Sequence, residues 1–269
     1  MKFVDITSNE SWSRLVESAG KASGSIMSFT TCLLVAFGVI VLDSFPAFLL
    51  VAIYLLAYLL ANLKTTCKKR AAESKDEQLY GLGQERPESD FCPICALPIQ
   101  LRMNNHAVVP VCCVKRICHG CNIAAQKRGM SNCPFCRLPI PAKDADRLAM
   151  VTLRVEKKDP AAIYFLGKKY YFGDLGLQKD MRRAVELYTE ATELGSSDAL
   201  YNLGNAYELG EGVGKDKAKA VHLLSKAAMQ GHVESRHKLG FLEADEGNYD
   251  RAVRHFLISA KMGYIDSIE

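Results

Sequence analysis

Eight of the ten cysteines in this 269-residue chain fall between Cys92 and Cys136, and the 133 residues after Cys136 contain none. They read forward as Cys92-x2-Cys95, sixteen residues, Cys112-Cys113, four residues, Cys118-x2-Cys121, eleven residues and Cys133-x2-Cys136. A CxxC turn puts two thiolates on one side of a knuckle, and zinc takes four such ligands tetrahedrally at ~2.3 Å. Eight thiolates make two closed sites. Neither keeps a position for a metal-bound water, so two structural zinc ions are expected rather than a hydrolytic centre. The clustering argues against scattered disulfides and for a reducing compartment, where paired thiols stay available to metal. A redox CxxC enzyme would need the motif to open a helix in a βαβ unit, and none is visible. A DNA-binding finger would carry basic residues along one helix, and Lys127 with Arg128 is too few.

Phe-Cys-Pro-Ile-Cys from Phe91, Ile-Cys-His-Gly-Cys from Ile117 and Cys-Pro-Phe-Cys-Arg from Cys133 together resemble the RING family over about 45 residues. The resemblance implies a cross-braced domain. Its first and third ligand pairs, Cys92, Cys95, Cys118 and Cys121, would share one zinc, and Cys112, Cys113, Cys133 and Cys136 the second. The chain departs from the family at the fourth ligand, where Lys115 stands in place of histidine and an ammonium cannot ligate. Cys112 is the candidate replacement, with His119 and His106 as alternatives. The resemblance further implies ubiquitin-ligase activity without a nucleophile or base. Ile94, Pro134 and Phe135 would line a groove for a ubiquitin-conjugating enzyme, and Arg137 matches the position that hydrogen-bonds both enzyme and ubiquitin. The plain alternatives are packing of a small domain for the first three and a solvated arginine for Arg137.

Those residues must be positioned by what flanks them. Between Lys21 and Lys64 a single charge, Asp43, interrupts two apolar runs, Ile26 to Leu42 and Phe45 to Leu63. At about 1.5 Å per residue each approaches the ~30 Å hydrocarbon core of a bilayer, so residues 26–63 read as a transmembrane helical hairpin after a 1–25 N-terminal segment. A single span is the rival. Lys64, Lys68, Lys69 and Arg70 behind it, with Arg14 and Lys21 ahead, place both flanks on the cytosolic side. Ser11 to Ala19 carries Trp12, Leu15 and Val16 at helical spacing, as a short interfacial helix would. The charged stretch 64–90, with Gly81, Gly83 and Pro87, reads as a flexible linker before the zinc domain at 91–138.

Beyond Cys136 the chain repeats itself. Tyr-Phe-Leu-Gly ending at Gly167, Tyr-Asn-Leu-Gly at Gly204 and His-Lys-Leu-Gly at Gly240 are 37 and 36 residues apart, and Gly195, Gly231 and Gly263 follow at 36 and 32. A period of this length means stacked helical hairpins, each second helix closed by a glycine. The pattern resembles Sel1-like repeats, relatives of tetratricopeptide repeats, and the third copy is four residues short in its inter-helix loop, Asp245 to Asn248. Tyr164, Tyr170, Tyr201 and Tyr207 sit at spacings that suit core packing or a peptide-binding face. A connecting helix at 145–158, with Leu148, Val151 and Val155 on one face, would pack the zinc domain against the first repeat. Asp159 as N-cap and Pro160 behind it then open three repeats over 159–269.

The expected architecture is multi-domain: a transmembrane helical hairpin, a small cross-braced two-zinc RING domain and an all-α solenoid of Sel1-like repeats. That order resembles RING proteins with Sel1 repeats found in diatoms and related algae. It implies a membrane-anchored ubiquitin ligase facing the cytosol whose repeats recruit a protein substrate or adaptor. The alternative is a non-catalytic zinc-stabilised scaffold at a membrane. A net charge of +4, with basic and acidic residues intermixed, does not suggest a nucleic-acid partner.

Overall fold

The structure, a computed structural model, describes residues 45–264. Its described residues divide into two units between Ala72 and Glu73. The expected first apolar run, Ile26 to Leu42, and the Ser11 to Ala19 segment lie outside the described residues. Helix α1, Phe45–Gly81, starts with Pro46 in its first turn and runs for 37 residues. Among the described residues no helix is long and apolar enough to cross a membrane. The expected transmembrane hairpin, and the membrane localisation that rested on it, are corrected by this finding. The helix does not stop where its apolar stretch does: it carries on without a break through Lys64, Lys68, Lys69 and Arg70, all good helix formers. The segment expected as a flexible linker is therefore helical as far as Gly81, and Leu79 near its end is buried.

The cysteine-rich region holds little regular structure. Two single 3₁₀ turns, Glu88–Asp90 and Met103–Asn105, precede an antiparallel ribbon of β1 (Ala107–Val108) and β2 (Ile117–Cys118), with Ala107 opposite Cys118 and Val108 opposite Ile117. Helix α2, His119–Lys127, follows directly. Its N-cap is Cys118, whose sulfur accepts from the Cys121 N–H. The core is small and made partly of sulfur: Cys92, Ile99, Met103, Cys112, Cys113, Ile117 and Cys133.

Helix α3, Asp144–Glu156, turns Val151 inward with Leu148 and Val155 alongside, and lies against the first repeat. The repeats are the helix pairs α4 (Pro160–Phe172) with α5 (Met181–Glu193), α6 (Ser197–Leu209) with α7 (Lys217–Met229), and α8 (Val233–Asp245) with α9 (Tyr249–Lys261). Each is thirteen residues long and most are capped: Asp159, Asp180, Ser196, Asp216 and His232 all accept a backbone N–H at their helix starts. Gly167, Gly204 and Gly240 occupy one place in the first helix of each pair because the second helix passes too close for a side chain. A Cβ on Gly204 would lie 2.9 Å from Leu224 Cγ, and one on Gly240 2.5 Å from Phe256 Cε1. Val111 of the cysteine-rich region is buried in the same core as Val151, Ile163 and Leu187, so cysteine-rich region, connecting helix and first repeat share one interior.

Candidate metal centres

Two of the cysteine turns are built alike. In the first, Ala96 N–H donates to Cys92 O at 2.8 Å and Cys92 N–H to Leu97 O at 2.9 Å. In the last, Arg137 N–H donates to Cys133 O at 2.9 Å and Cys133 N–H to Leu138 O at 2.9 Å. Both turns close on a left-handed residue, Ala96 at φ 58° and Arg137 at φ 62°. That conformation costs a residue with a Cβ, and closing a knuckle requires it. A third turn has the same form. Val114 N–H donates to Pro110 O at 2.8 Å with Val114 at φ 52°. Cys113 therefore stands where Cys95 and Cys136 stand in theirs, and Pro110 stands where a first cysteine would be. Cys112, one residue earlier than Cys113, brings the missing sulfur.

These turns, with Cys118 and Cys121 at the start of α2, bring the sulfurs into two groups: Cys92, Cys95, Cys118 and Cys121, and Cys112, Cys113, Cys133 and Cys136. Within each group the donor atoms all lie within 4.8 Å of one another, and neither group includes His106 or His119. Individual S–S separations are 3.9 Å for Cys95 to Cys118, 3.7 Å for Cys113 to Cys133 and 3.3 Å for Cys136 to Cys112. Four sulfurs at zinc-bonding distance around a tetrahedron stand about 3.8 Å apart, whereas a disulfide needs about 2.05 Å. The donor sets fit a metal ion such as zinc.

The electrostatics agree with that fit. Burial opposes ionisation of Cys92, but backbone N–H groups of Cys118, Cys95 and Ile94 outweigh it and hold the thiol down at about 6. Burial likewise opposes ionisation of Cys133, and the N–H groups of Cys136 and Phe135 pull it below its ordinary value. Cys112 and Cys113 are pushed up, by burial first and then by the neighbouring sulfurs, Cys113 to about 11. Four converging sulfurs thus cannot all ionise on their own, and a divalent cation among them removes the conflict.

The other expected site residues lie on the knuckles. Ile94 and Phe135 are 44% and 42% exposed, Pro134 is half-buried and Arg137 is exposed. Leu97 and Leu138, in matching places just past the two knuckles, are also exposed apolar residues.

What sequence reasoning missed is the polar half of the joint between this domain and the repeats, beyond the connecting helix. Asp90 is buried beside Arg86 (Nε–Oδ2 3.3 Å) and Arg116 (Nη1–Oδ1 3.5 Å), and Arg116 Nη2 donates to Asp198 Oδ1 at 2.5 Å. Burial raises the Asp90 carboxyl despite its two arginines. Burial also works against ionisation of Asp198, yet Arg116 and His232 hold its carboxyl well below the usual carboxylate range. Leu101 packs with Val233 and Met262 of the third repeat. Arg116 lies between Lys115 and Ile117, just ahead of Cys118, and no periodicity singled it out.

A Sel1 repeat family model matches residues 160–196, 197–232 and 234–264, so the C-terminal helical array consists of Sel1 repeats. Protein SHC1 of Saccharomyces cerevisiae is 37% identical over 81 residues, which is 30% of this chain and 16% of that protein. Chitin synthase regulatory factor 3 of Schizosaccharomyces pombe is 30% identical over 83 residues, which is 31% of this chain and 9% of that protein. The chain spans about a sixth or less of the length of these relatives. A solved Sel1 repeat protein from Oxalobacter formigenes is 31% identical with a TM-score of 0.43, the alignment covering 45% of this chain and 51% of that one.

Proposed function

We propose that residues 91–138 form a two-zinc RING-type domain that positions a ubiquitin-charged conjugating enzyme, while the Sel1 repeats engage a protein substrate or adaptor. The interleaving of the two cysteine groups carries this reading. The first and third pairs meet in one group and the second and fourth in the other, so the pairs alternate along the chain. Zinc, when bound, supplies cross-links between distant turns and no reactive water, because four sulfurs fill each ion's coordination. The chain's own residues do the rest. Ile94 and Phe135 project from matching places on two knuckles and remain exposed, as a docking groove requires. Arg137, next to the ligand Cys136, has its main-chain N–H tied to Cys133 O while its side chain stays accessible. Such a surface accelerates transfer by orientation, without a nucleophile of its own. Sel1 repeats generally mediate protein–protein interaction, which suits the array to the recruiting role.

The test is ubiquitin-chain formation by the full chain with activating enzyme and a panel of conjugating enzymes. Ile94→Ala and Arg137→Ala are each expected to lower the rate about tenfold, from one buried apolar anchor or one charged hydrogen bond, with zinc content unchanged. No chains with any conjugating enzyme, from protein carrying about two zinc ions, would leave the adaptor reading. The half-buried Arg116 to Asp198 pair favours that second reading, since it ties the cysteine domain to the array as one binding body.

A further inference from the structure

The third repeat departs from the first two at two aliphatic core positions, where it carries a cation and an imidazole. Where the first helices bury Ile163 and Leu200, the third repeat buries Arg236, and where the second helices place Leu187 and Leu223, it buries His255. Both side chains of the third repeat are fully buried. Arg236 Nε and Nη1 and both ring nitrogens of His255 have no hydrogen-bond partner. Replacing a leucine by a cation or imidazole whose N–H groups are largely unmatched costs stability in an interior, so such a pair persists where something outside the repeat uses it.

What uses it is the end of α1 and the residues after it. Arg236 Nη2 donates to Leu82 O just past the helix C-terminus, where a cation is favoured by the unsatisfied carbonyls. His255 lies against the Tyr80 ring at 5.0 Å, and the Arg254 guanidinium sits 5.4 Å over the same ring. Arg251 donates to the Tyr80 hydroxyl at 3.3 Å and to Asp76 Oδ1 at 3.2 Å. The backbones then meet without room for side chains. A Cβ on Gly83, at φ +62°, would lie 2.1 Å from Ala228 O, and one on Gly231 would lie 2.2 Å from Glu85 O.

We infer that the third Sel1 repeat is a receptor for this chain's own segment Asp76–Gly83, its core rewritten from Ile/Leu and Leu to Arg236 and His255 to read a helix C-terminus carrying an aspartate and a tyrosine. The array therefore spends part of its binding surface on an internal ligand, and outside partners meet the remaining faces or compete with this segment. A polar receptor suits a releasable ligand, because the two side chains regain water when the segment leaves, whereas a leucine pair would be stranded.

Amide hydrogen exchange on the full chain tests it with two variants. Arg236→Leu restores the residue type of the other repeats. It is expected to raise exchange of the amides in residues 77–82 about tenfold or more while α6 and α7 keep their protection. Gly83→Ala, outside the repeats, is expected to do the same by steric contact with Ala228 O. Unchanged exchange at residues 77–82 in both variants would overturn the assignment. If Arg236→Leu instead unfolds α8 and α9, the Gly83→Ala result alone decides, since that site lies beyond the repeat core.

Discussion

Residues 91–138 seat only a few large apolar side chains, Ile99, Met103 and Ile117, among buried sulfurs, and their longest helix is the nine-residue α2. The first two repeats, by contrast, interdigitate Ile163, Leu166, Leu187, Tyr188, Leu203 and alanines between thirteen-residue helices that carry their own caps. The one region is a set of turns that a metal ion among the donor sulfurs would hold together. The other is a stack that apolar burial holds together, at roughly 1.5–3 kcal/mol for each fully buried large side chain. Small domains with too little core need such a staple, and repeat arrays gain theirs from neighbours.

Stripping metal should separate the two most. A chelator is expected to unfold residues 91–138, since binding energy of order 10 kcal/mol per structural ion is folding energy there, while far-UV helicity and exchange protection in α4 to α7 persist. Collapse of the repeats along with the cysteine domain would show that the stack is not self-sufficient.

Next in size is the joint between them. Arg116→Ala leaves Asp90 and Asp198 without their shared cation and should cost roughly 2–3 kcal/mol in a denaturant titration, below a fully enclosed pair because both side chains keep some solvent contact. A loss under 0.5 kcal/mol would mean that water replaces the arginine freely.

Acid should act on the third repeat. Burial, followed by repulsion from Arg236 and Arg251, depresses His255 to about 3 against an ordinary 6.5, with Tyr80 the remaining ring against it. The unfolded chain therefore binds the proton first. This contribution is complete above pH 6.5 and declines as pH falls toward 3, by about 2 kcal/mol at pH 5. His232 runs the other way: burial opposes its charge, but Asp198 and Glu234 raise it, so it favours the fold as pH drops and moderates the decline. His255→Leu should flatten the loss between pH 7 and pH 5, read from urea midpoints, and an unchanged slope would assign the acid sensitivity elsewhere.

The smallest effect is local. Asp216→Ala removes the side chain that accepts the Lys219 N–H at the start of α7 and should cost about 1 kcal/mol, with no change in metal content.

Much of the array was legible because its determinants are local: a glycine where helices cross, the capping Asp159 before Pro160, and a period that survives a four-residue deletion. The cysteine spacing likewise announced paired donors. The apolar run from Phe45 misled, because apolar composition does not say where a helix stops, and this one continues through lysines and an arginine to Gly81.

By itself, then, the sequence determined what depends on neighbours in the chain: the helical pairs and their period, the Asp159 cap, and the CxxC turns. Only the tertiary structure decided what depends on residues far apart. It brought Val111 into one core with Ile163 and Leu187 of the first repeat. It joined Arg116 to Asp198, 82 positions away. And it turned two polar residues of the third repeat toward the end of α1, 154 positions from Arg236 to Leu82. Such pairings carry no period or motif, because the energy that selects them appears only once distant backbones have closed on each other and excluded water.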